Sequence, residues 1–306
     1  MTIRIAGIGT SLPPTIVTNH DLEQRMDTSD AWIRERSGIG ERRVSGVTSE
    51  MGLDAATKAI EDAGIGAGDI DFVLLATCTP DQVIPATSTQ ITRGLGLTCG
   101  SMDINAACAG FAYGYAAAFG LMLAPGGPNR VLVVGADAMS KVVDWTDRGT
   151  AILFGDGAGA AVLERHEQGD LLGQDFGVAG DLREILYCNH ADTIVMEGRE
   201  VFKRAVRAVT QSVKNALDQA GLTPSDIDVV LPHQANVRII EAVCSRLDIP
   251  MEKTHNVLEH TGNTSAASIP LAMAAANEAG ALQPGKIVVM TGFGAGMAWG
   301  SVVVRW

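Results

Sequence analysis

The sequence predicts an α/β protein built from two similar halves, and three observations predict it: a helix-to-strand segment that occurs twice, apolar strand-like runs that end in glycine, and a cysteine where one such run meets an uncharged helix. Residues 59–74 read AIEDAGIGAGDIDFVL and residues 216–231 read ALDQAGLTPSDIDVVL, so Ala, Ala-Gly, Asp-Ile-Asp and Val-Leu recur at a shift of 157 residues. Each copy has the pattern of an amphipathic helix stopping at Ala-Gly, a short connection and a buried strand. A repeat at about half the chain length divides it into an N-terminal half, 1–164, and a C-terminal half, 165–306.

The elements follow in order. The run Met1–Ala6 predicts a strand continuing into Gly7-Ile8-Gly9, without the long apolar stretch or small-residue cleavage site of a signal peptide. Gly-x-Gly after a strand suggests a dinucleotide fingerprint, but Leu12 and Pro13-Pro14 oppose the helix that would receive a pyrophosphate, which argues against NAD. From Ile104 to Asn129 there is no charged residue, a length that could cross a bilayer. Asn105, frequent glycines and Pro125-Gly126-Gly127-Pro128 instead predict a helix apolar all round, buried at the centre of a core. Further strands are expected at Arg130–Gly135, at Ile152–Phe154 ahead of a glycine loop Gly155–Ala160, and at Lys286–Met290. That glycine loop lacks the Lys-Ser/Thr of a phosphate loop, so its glycines are assigned to close backbone packing.

Of the 306 residues 46% are hydrophobic and 19% charged, enough for a sizeable core. A net charge of -12 argues against general nucleic-acid binding and requires a local basic patch for any anionic ligand. Cys78, Cys99, Cys108, Cys188 and Cys244 show neither CxxC spacing nor a zinc pattern, which suits reduced thiols in the cytoplasm and predicts no metal site. Four of them read as small buried hydrophobes. Cys108 differs. In Asp103-Ile104-Asn105-Ala106-Ala107-Cys108-Ala109-Gly110-Phe111 it sits at a helix N-terminus, where unpaired N–H groups and the helix dipole favour a thiolate and are expected to lower its pKa. His233, in Leu231-Pro232-His233-Gln234-Ala235-Asn236, and Asn263, in His260-Thr261-Gly262-Asn263-Thr264-Ser265, also follow strand-like or apolar runs. Applying the 157-residue shift to Cys108 lands on Ser265, beside Asn263, so a pseudo-twofold would bring two helix N-termini to one central site. Read alone, His233 is a satisfied structural histidine and Asn263 the N-cap of the helix beginning at Thr264.

A longer series of segments, in order along nearly the whole chain, resembles a known family: Met26-Asp27-Thr28-Ser29-Asp30-Ala31-Trp32-Ile33, Ile39-Gly40-Glu41-Arg42-Arg43, DINAACAGF, DWTDRGT with FGDGAGAAVL, MEGREVFKRAV, PHQANVRII, HTGNTSAAS and the closing GFGAGMAWGSVVVRW. These are similar to the thiolase superfamily, and within it to β-ketoacyl-acyl-carrier-protein synthase III. The resemblance implies a thiolase-like αβαβα layered fold of two halves related by a pseudo-twofold, in a cytoplasmic homodimer without a permanently bound cofactor. It implies that Cys108 takes an acyl group from acyl-CoA, and that malonyl-acyl carrier protein then decarboxylates and attacks the acyl-Cys108 carbonyl. His233 and Asn263 would hydrogen-bond the malonyl thioester oxygen, and N–H groups of Cys108 and Gly294-Ala295-Gly296 would face the acyl oxygen. Trp32 would stack on adenine, with Arg36 and Arg148 near the nucleotide phosphates. Gly198 and Asn236 would line the pantetheine tunnel, and Lys203, Arg238 and Arg246 would dock the acidic carrier.

Three departures from the family pattern bear on the expectations. Ala295 stands where members often have Gly, Leu172–Gly198 is shorter than usual over the acyl pocket, and Ile84 stands where many carry a Phe reaching the partner's pocket. A starter pocket open to chains longer or bulkier than acetyl is therefore expected. The same residues also suit a non-decarboxylating acyltransferase, while an intact Cys108, His233 and Asn263 argue against a silent partner subunit.

Overall fold

The computed structural model describes residues 2–167 and 169–306, so Met1 of the expected first strand lies outside it. Strands β1 (Thr2–Ser11), β2 (Phe72–Ala76), β3 (Gly100–Ile104), β4 (Arg130–Ala138) and β5 (Asp156–His166) make a five-stranded sheet in the order β1-β5-β4-β2-β3. Strands β6 (Asp170–Val178), β7 (Val229–Pro232), β8 (Ile287–Gly294) and β9 (Ala298–Arg305) make a four-stranded sheet in the order β6-β9-β8-β7. In each sheet the first three strands of that order pair antiparallel and the fourth joins in parallel. The second sheet thus repeats the first strand for strand, with β3 as the first sheet's addition.

The helices that position the site are α1 (Asp30–Ser37), α2 (Thr48–Asp62), α3 (Gly110–Leu123), α4 (Gly198–Ala220), α5 (Val237–Leu247) and α6 (Ser268–Glu278). Helices α3 and α6 lie between the sheets and touch both, α2 covers the outer face of the first, and α4 with α5 covers the second. The result is five layers, αβαβα. Phe111 and Tyr115 of α3, Ile269 and Met273 of α6, and Leu74, Val133, Leu231 and Met290 of the sheets form one buried cluster, so the central layer is held by apolar burial from both halves. The uncharged helix is central as expected, but not buried all round: Leu123 at its C-terminal end is 51% exposed.

The repeated segment folds as its sequence suggests. In both copies a helix, a 3-10 turn and a strand follow each other, and the twin aspartates of Asp-Ile-Asp have matching tasks. Asp69 and Asp226 bond back to the N–H of Gly66 and Thr223 and close the turn. Asp71 takes the N–H groups of Asn129 and Arg130, where β4 begins, and Asp228 takes that of Ile287, where β8 begins. The motif recurs because each half must pin the same two strands together.

Two expectations are corrected here. Ile152–Phe154 is no strand: only Phe154 forms a bridge, to Asn263. The expected glycine loop is itself strand β5, and its glycines do serve close packing, since a Cβ at Gly159 would stand 2.7 Å from Pro270 of α6. Glycine-rich composition suggests a loop, but here it records a helix lying directly on a strand. The same holds for Gly7 and Gly9, whose added Cβ atoms would come within 2.3 and 2.2 Å of α2 carbonyl oxygens; β1 continues to Ser11 without a phosphate-binding turn.

Candidate active site

Strand β3 ends at Ile104, and a 3-10 turn at residues 107–109 leads into α3, so Cys108 lies in the turn before the helix. Asn105 caps this turn by accepting the Ala107 N–H at 3.1 Å, and Ala107 is held at φ +46°. The second half repeats the device: Asn263 accepts the Ser265 N–H at 2.9 Å, Ser265 is at φ +51°, and a 3-10 turn at 265–267 leads into α6. Matching Asn with Asn and the positive-φ residues with each other requires a shift of 158, one more than in the strands. The counterpart of Cys108 is therefore Ala266 and not Ser265, because the second half has one more residue between strand and turn.

The two turns pack together over a buried carboxylate. Asp137, at the end of β4, accepts the N–H of Cys78 and Thr79 and the hydroxyls of Thr77 and Thr79 on one oxygen, and the Ala266 N–H on the other, tying both halves together near Cys108. Asn263 is pinned by its main chain as well, donating to Leu153 O and accepting from Gly155. Behind it, fully buried Arg42 bonds the carbonyls of Val17 and Ile152 and the side chain of Asn19, and burial lowers its pKa to about 10.

Cys108, His233 and Asn263 line one cavity of about 660 Å³. His233 follows β7 directly, donates its N–H to Thr291 O at 2.7 Å and sets its ring edge-on to Phe293, with centroids 5.5 Å apart. Burial lowers its pKa to about 3, so the imidazole is neutral. Its Nδ1 lies 2.7 Å from Ser268 Oγ, which leaves Nε2 as the ring nitrogen for chemistry. Asn263 Oδ1 is taken by Ser265, which leaves the Nδ2 group as that side chain's donor.

The expectation of a lowered Cys108 pKa is overturned. Burial pushes the thiol up to about 12, and the nearby Asp137 carboxylate adds to it, against opposing hydrogen bonds from Ser265 and the Cys108 backbone. Desolvation of a charge wins over the ends of two short turns. The resting sulfur is a thiol that must lose its proton as it reacts. Of the other cysteines only Cys244 is buried; Cys78 and Cys99 are half-buried and Cys188 is exposed.

The cavity runs outward past Gly198, Asn236 and Arg238 to Trp32 and Arg36. The guanidinium carbons of Arg36 and Arg148 lie 4.5 and 4.8 Å from the Trp32 ring centroid, an arrangement favourable to both cations. Asn236 caps α5 through its Oδ1, so its amide nitrogen is left to donate. Lys203 on α4 and Arg246 on α5 are exposed, and Arg238 reaches to 6.0 Å over Phe202. Of the expected oxyanion loop, Gly294 lines the cavity and packs so near that an added Cβ would stand 2.6 Å from Cys108 N. Ala295 and Gly296 follow in a 3-10 turn, with Gly296 at φ +101°, and are not in the lining. The short 172–198 segment still supplies Leu186 and Met196 to the cavity wall, while Ile84 is 85% exposed and outside it. Sequence reasoning missed Asp137 and Ser268, and reached Ser265 only as the counterpart of Cys108; both serines lie inside HTGNTSAAS, but nothing local marks which hydroxyl meets which partner. Among the described residues no group of His, Cys, Asp or Glu is placed to hold a metal, and no helix is long and apolar enough to cross a membrane.

Comparison with known proteins gives the same family from several directions. Residues 102–180 match the family model for 3-oxoacyl-[acyl-carrier-protein] synthase III, and residues 217–306 match the model for its C-terminal part. A beta-ketoacyl-[acyl-carrier-protein] synthase III of Bacillus anthracis is 48% identical, over all of this chain and 99% of that one. The solved 3-oxoacyl-[acyl-carrier-protein] synthase III of Aquifex aeolicus superposes with a TM-score of 0.97 at 41% identity, covering 99% of this chain and 100% of that one. The priming beta-ketosynthase of the R1128 polyketide pathway superposes at 0.93 with 34% identity, covering 99% and 96%. This chain belongs to the 3-oxoacyl-acyl-carrier-protein synthase III family, with its thiolase-like fold.

Proposed function

From that membership we propose that the protein is an acyltransferase that starts chain synthesis by a decarboxylating condensation, joining an acyl-CoA starter to malonyl-acyl carrier protein through an acyl-Cys108 thioester. The observation that carries this reading is the convergence of Cys108, His233 and Asn263 on one cavity. A neutral thiol beside a neutral imidazole suits attack on a thioester, with His233 taking the proton as the C–S bond to CoA breaks. In the second half-reaction the malonyl carboxylate leaves as carbon dioxide, and negative charge grows on the thioester oxygen. Asn263 Nδ2 and His233 Nε2 are the donors assigned to that oxygen, and neither requires the site to reorganise. The acyl oxygen is assigned to the N–H groups of Cys108 and Gly294.

Trp32, Arg36 and Arg148 are assigned to the adenine and phosphates of CoA, and Gly198 and Asn236 to its pantetheine arm. Lys203 on α4 and Arg238 and Arg246 on α5, two helices that pack together, are assigned to the acidic carrier, with Arg238 in the cavity lining; such basic groups would steer it despite a net charge of -12. The likeness to a polyketide-priming ketosynthase makes a specialised pathway the second reading, with the same chemistry. A homodimer in the cytoplasm, with no resident cofactor, completes the proposal.

The test is direct. Incubation with a panel of acyl-CoAs should add one acyl mass, which peptide mapping should place on Cys108, and malonyl-carrier protein should then discharge it with release of carbon dioxide. An adduct elsewhere, or none from any acyl-CoA, would refute the nucleophile assignment. Discharge to an acceptor without carbon dioxide would favour a non-decarboxylating acyltransferase.

A further inference from the structure

Arg42 is fully buried, and burial lowers its pKa only to about 10, so at neutral pH it keeps a positive charge inside the protein. Its hydrogen bonds nevertheless run to neutral oxygens. Nη1 donates to Val17 O at 3.0 Å, Nη2 donates to Asn19 Oδ1 at 2.8 Å and to Ile152 O at 2.9 Å, and buried Nε meets no acceptor. A buried charge in this setting costs stability that an apolar side chain of like size would not. What a guanidinium does and no apolar group can is hold oxygens from distant segments in the fixed directions of one plane.

One side of that plane is anchored. Asn19 donates its Nδ2 hydrogens to Asp30 Oδ1, at the start of α1, and to Ile39 O, which settles the amide with its oxygen toward Arg42. On the other side is the segment 152–155, which joins no strand and holds Asn263 at both ends of its peptide unit: Asn263 donates its N–H to Leu153 O at 2.8 Å, and Gly155 donates to Asn263 O at 3.0 Å. The Arg42 stem packs against the same place, since a Cβ added at Gly155 or at Gly262 would stand 3.0 or 3.1 Å from Arg42 Cβ.

We propose that Arg42 is a positioning residue that sets Asn263 for the decarboxylating half-reaction, through Ile152 O and the bonds that Leu153 and Gly155 make to Asn263. The inference rests on the reading of Asn263 as a donor to the malonyl thioester oxygen, and adds what holds that donor in place. The bond from Ser265 N–H to Oδ1 fixes how the amide is turned, while the main-chain bonds fix where it stands. A donor displaced by about 1 Å can lose a hundredfold in rate, so a buried cation spent on one carbonyl is repaid in the chemistry. Acyl loading of Cys108 does not call on Asn263 and should not depend on Arg42 in this way.

Arg42→Lys keeps the charge and loses the fork. Amide hydrogen exchange reads its effect without substrate: the Asn263 and Gly155 N–H groups should be protected in the unmodified protein and exchange about tenfold faster or more in the variant, with β4 and β8 unchanged. Decarboxylation of malonyl-carrier protein by the acyl-loaded variant should fall about tenfold, and loading from acetyl-CoA by less than about twofold. In an Asn263→Ala background Arg42→Lys should cost decarboxylation nothing further, because it acts through the side chain already removed. Asn19→Ala, which takes away one acceptor and leaves the arginine, should move the same readouts in the same direction by less. Fast exchange at both amides in the unmodified protein overturns the proposal, whether or not a variant folds. Equal losses in loading and decarboxylation overturn it too, as does a further fall in the double variant. If the unmodified protein releases no carbon dioxide from malonyl-carrier protein while exchange responds as stated, the functional reading fails and the hold of Arg42 on Asn263 stands.

Discussion

The turn 105–110 and the turn 263–268 share one backbone and divide the chemistry between them. Each begins with an asparagine that caps it, passes through a non-glycine residue near φ +50° and feeds one of the two central helices. Where the first turn carries Cys108 the second carries Ala266, and where the first enters its helix at Gly110 the second enters at Ser268. Gly110 has no Cβ, and one placed there would already stand 3.1 Å from Ala76 and 3.4 Å from Ala266, so the turns pack closely on the first side. Ser268 uses the equivalent position to reach His233. The difference teaches that the duplicated backbone supplies only geometry: two strained turns beside one cavity. Side chains that break the repeat then put a thiol on one turn and, on the other, a hydroxyl that reaches His233.

The largest effect should come from breaking the first turn's distinction. Cys108→Ser keeps the turn and replaces the thiol by a hydroxyl, a far weaker nucleophile at neutral pH, so loading and condensation should fall on the order of 10⁴-fold or more with the fold intact. Mass spectrometry for acyl loading and circular dichroism for the fold check this.

The two capping asparagines sharpen the comparison. Asn105→Ala removes a cap alone and should cost about 1 kcal/mol of stability, seen in thermal unfolding, with a modest effect on rate. Asn263→Ala removes a cap of the same geometry and also the donor proposed for the malonyl oxygen, so decarboxylation should drop about a hundredfold or more beyond the same stability loss. Equal rates in the two variants would mean that the turns are alike in function as well as in shape.

Titration tests what each turn's setting does to charge. With the thiol pushed up to about 12, alkylation of Cys108 by a neutral reagent in a His233→Ala background should rise about tenfold per pH unit from 6 to 10, because only the rare thiolate reacts. In the unmodified chain His233, neutral above about 3, takes the proton directly, so loading from acyl-CoA should stay level between about pH 5 and 9. A plateau of alkylation near pH 8 would restore the dipole-lowered thiolate that the sequence suggests.

What was legible in the sequence followed from local rules. A helix ending at Ala-Gly, a closing Asp and an apolar strand are specified within one segment, and the segment occurs twice. Glycines misled where their reason was a neighbour far along the chain, as with Gly159 under Pro270. The repeat at the strands has a register of 157, while the turns lie after one extra residue and so match at 158. The Cys108 charge state was inverted, since helix position can be read from sequence but burial and Asp137, 29 residues on, cannot. Ser268 sat in plain view in a quoted motif, yet its role exists only once His233 has been folded against it.

The smallest effect, a few-fold in selectivity, concerns the cavity wall that neither turn supplies. The short 172–198 segment contributes Leu186 and Met196, which pack on a small buried cluster of Met139, Val143, Phe154 and Ile194, and Phe154 also lines the cavity. That segment is trimmed but not open. Ile84 stands clear of the chain's own cavity, so any part it has in starter choice must be played in a second copy. If it is, Ile84→Phe should narrow that copy's pocket and move preference toward acetyl-CoA, and the unmodified enzyme should gain along acetyl, butyryl and hexanoyl-CoA. Each buried methylene adds ~0.8 kcal/mol until the pocket fills, enough for a several-fold step per carbon. Competition among the three thioesters, read by intact mass, measures the series. A strict acetyl preference unchanged by Ile84→Phe would assign starter choice to the packed cluster around Phe154 alone, and would leave the partner's loop no part in it.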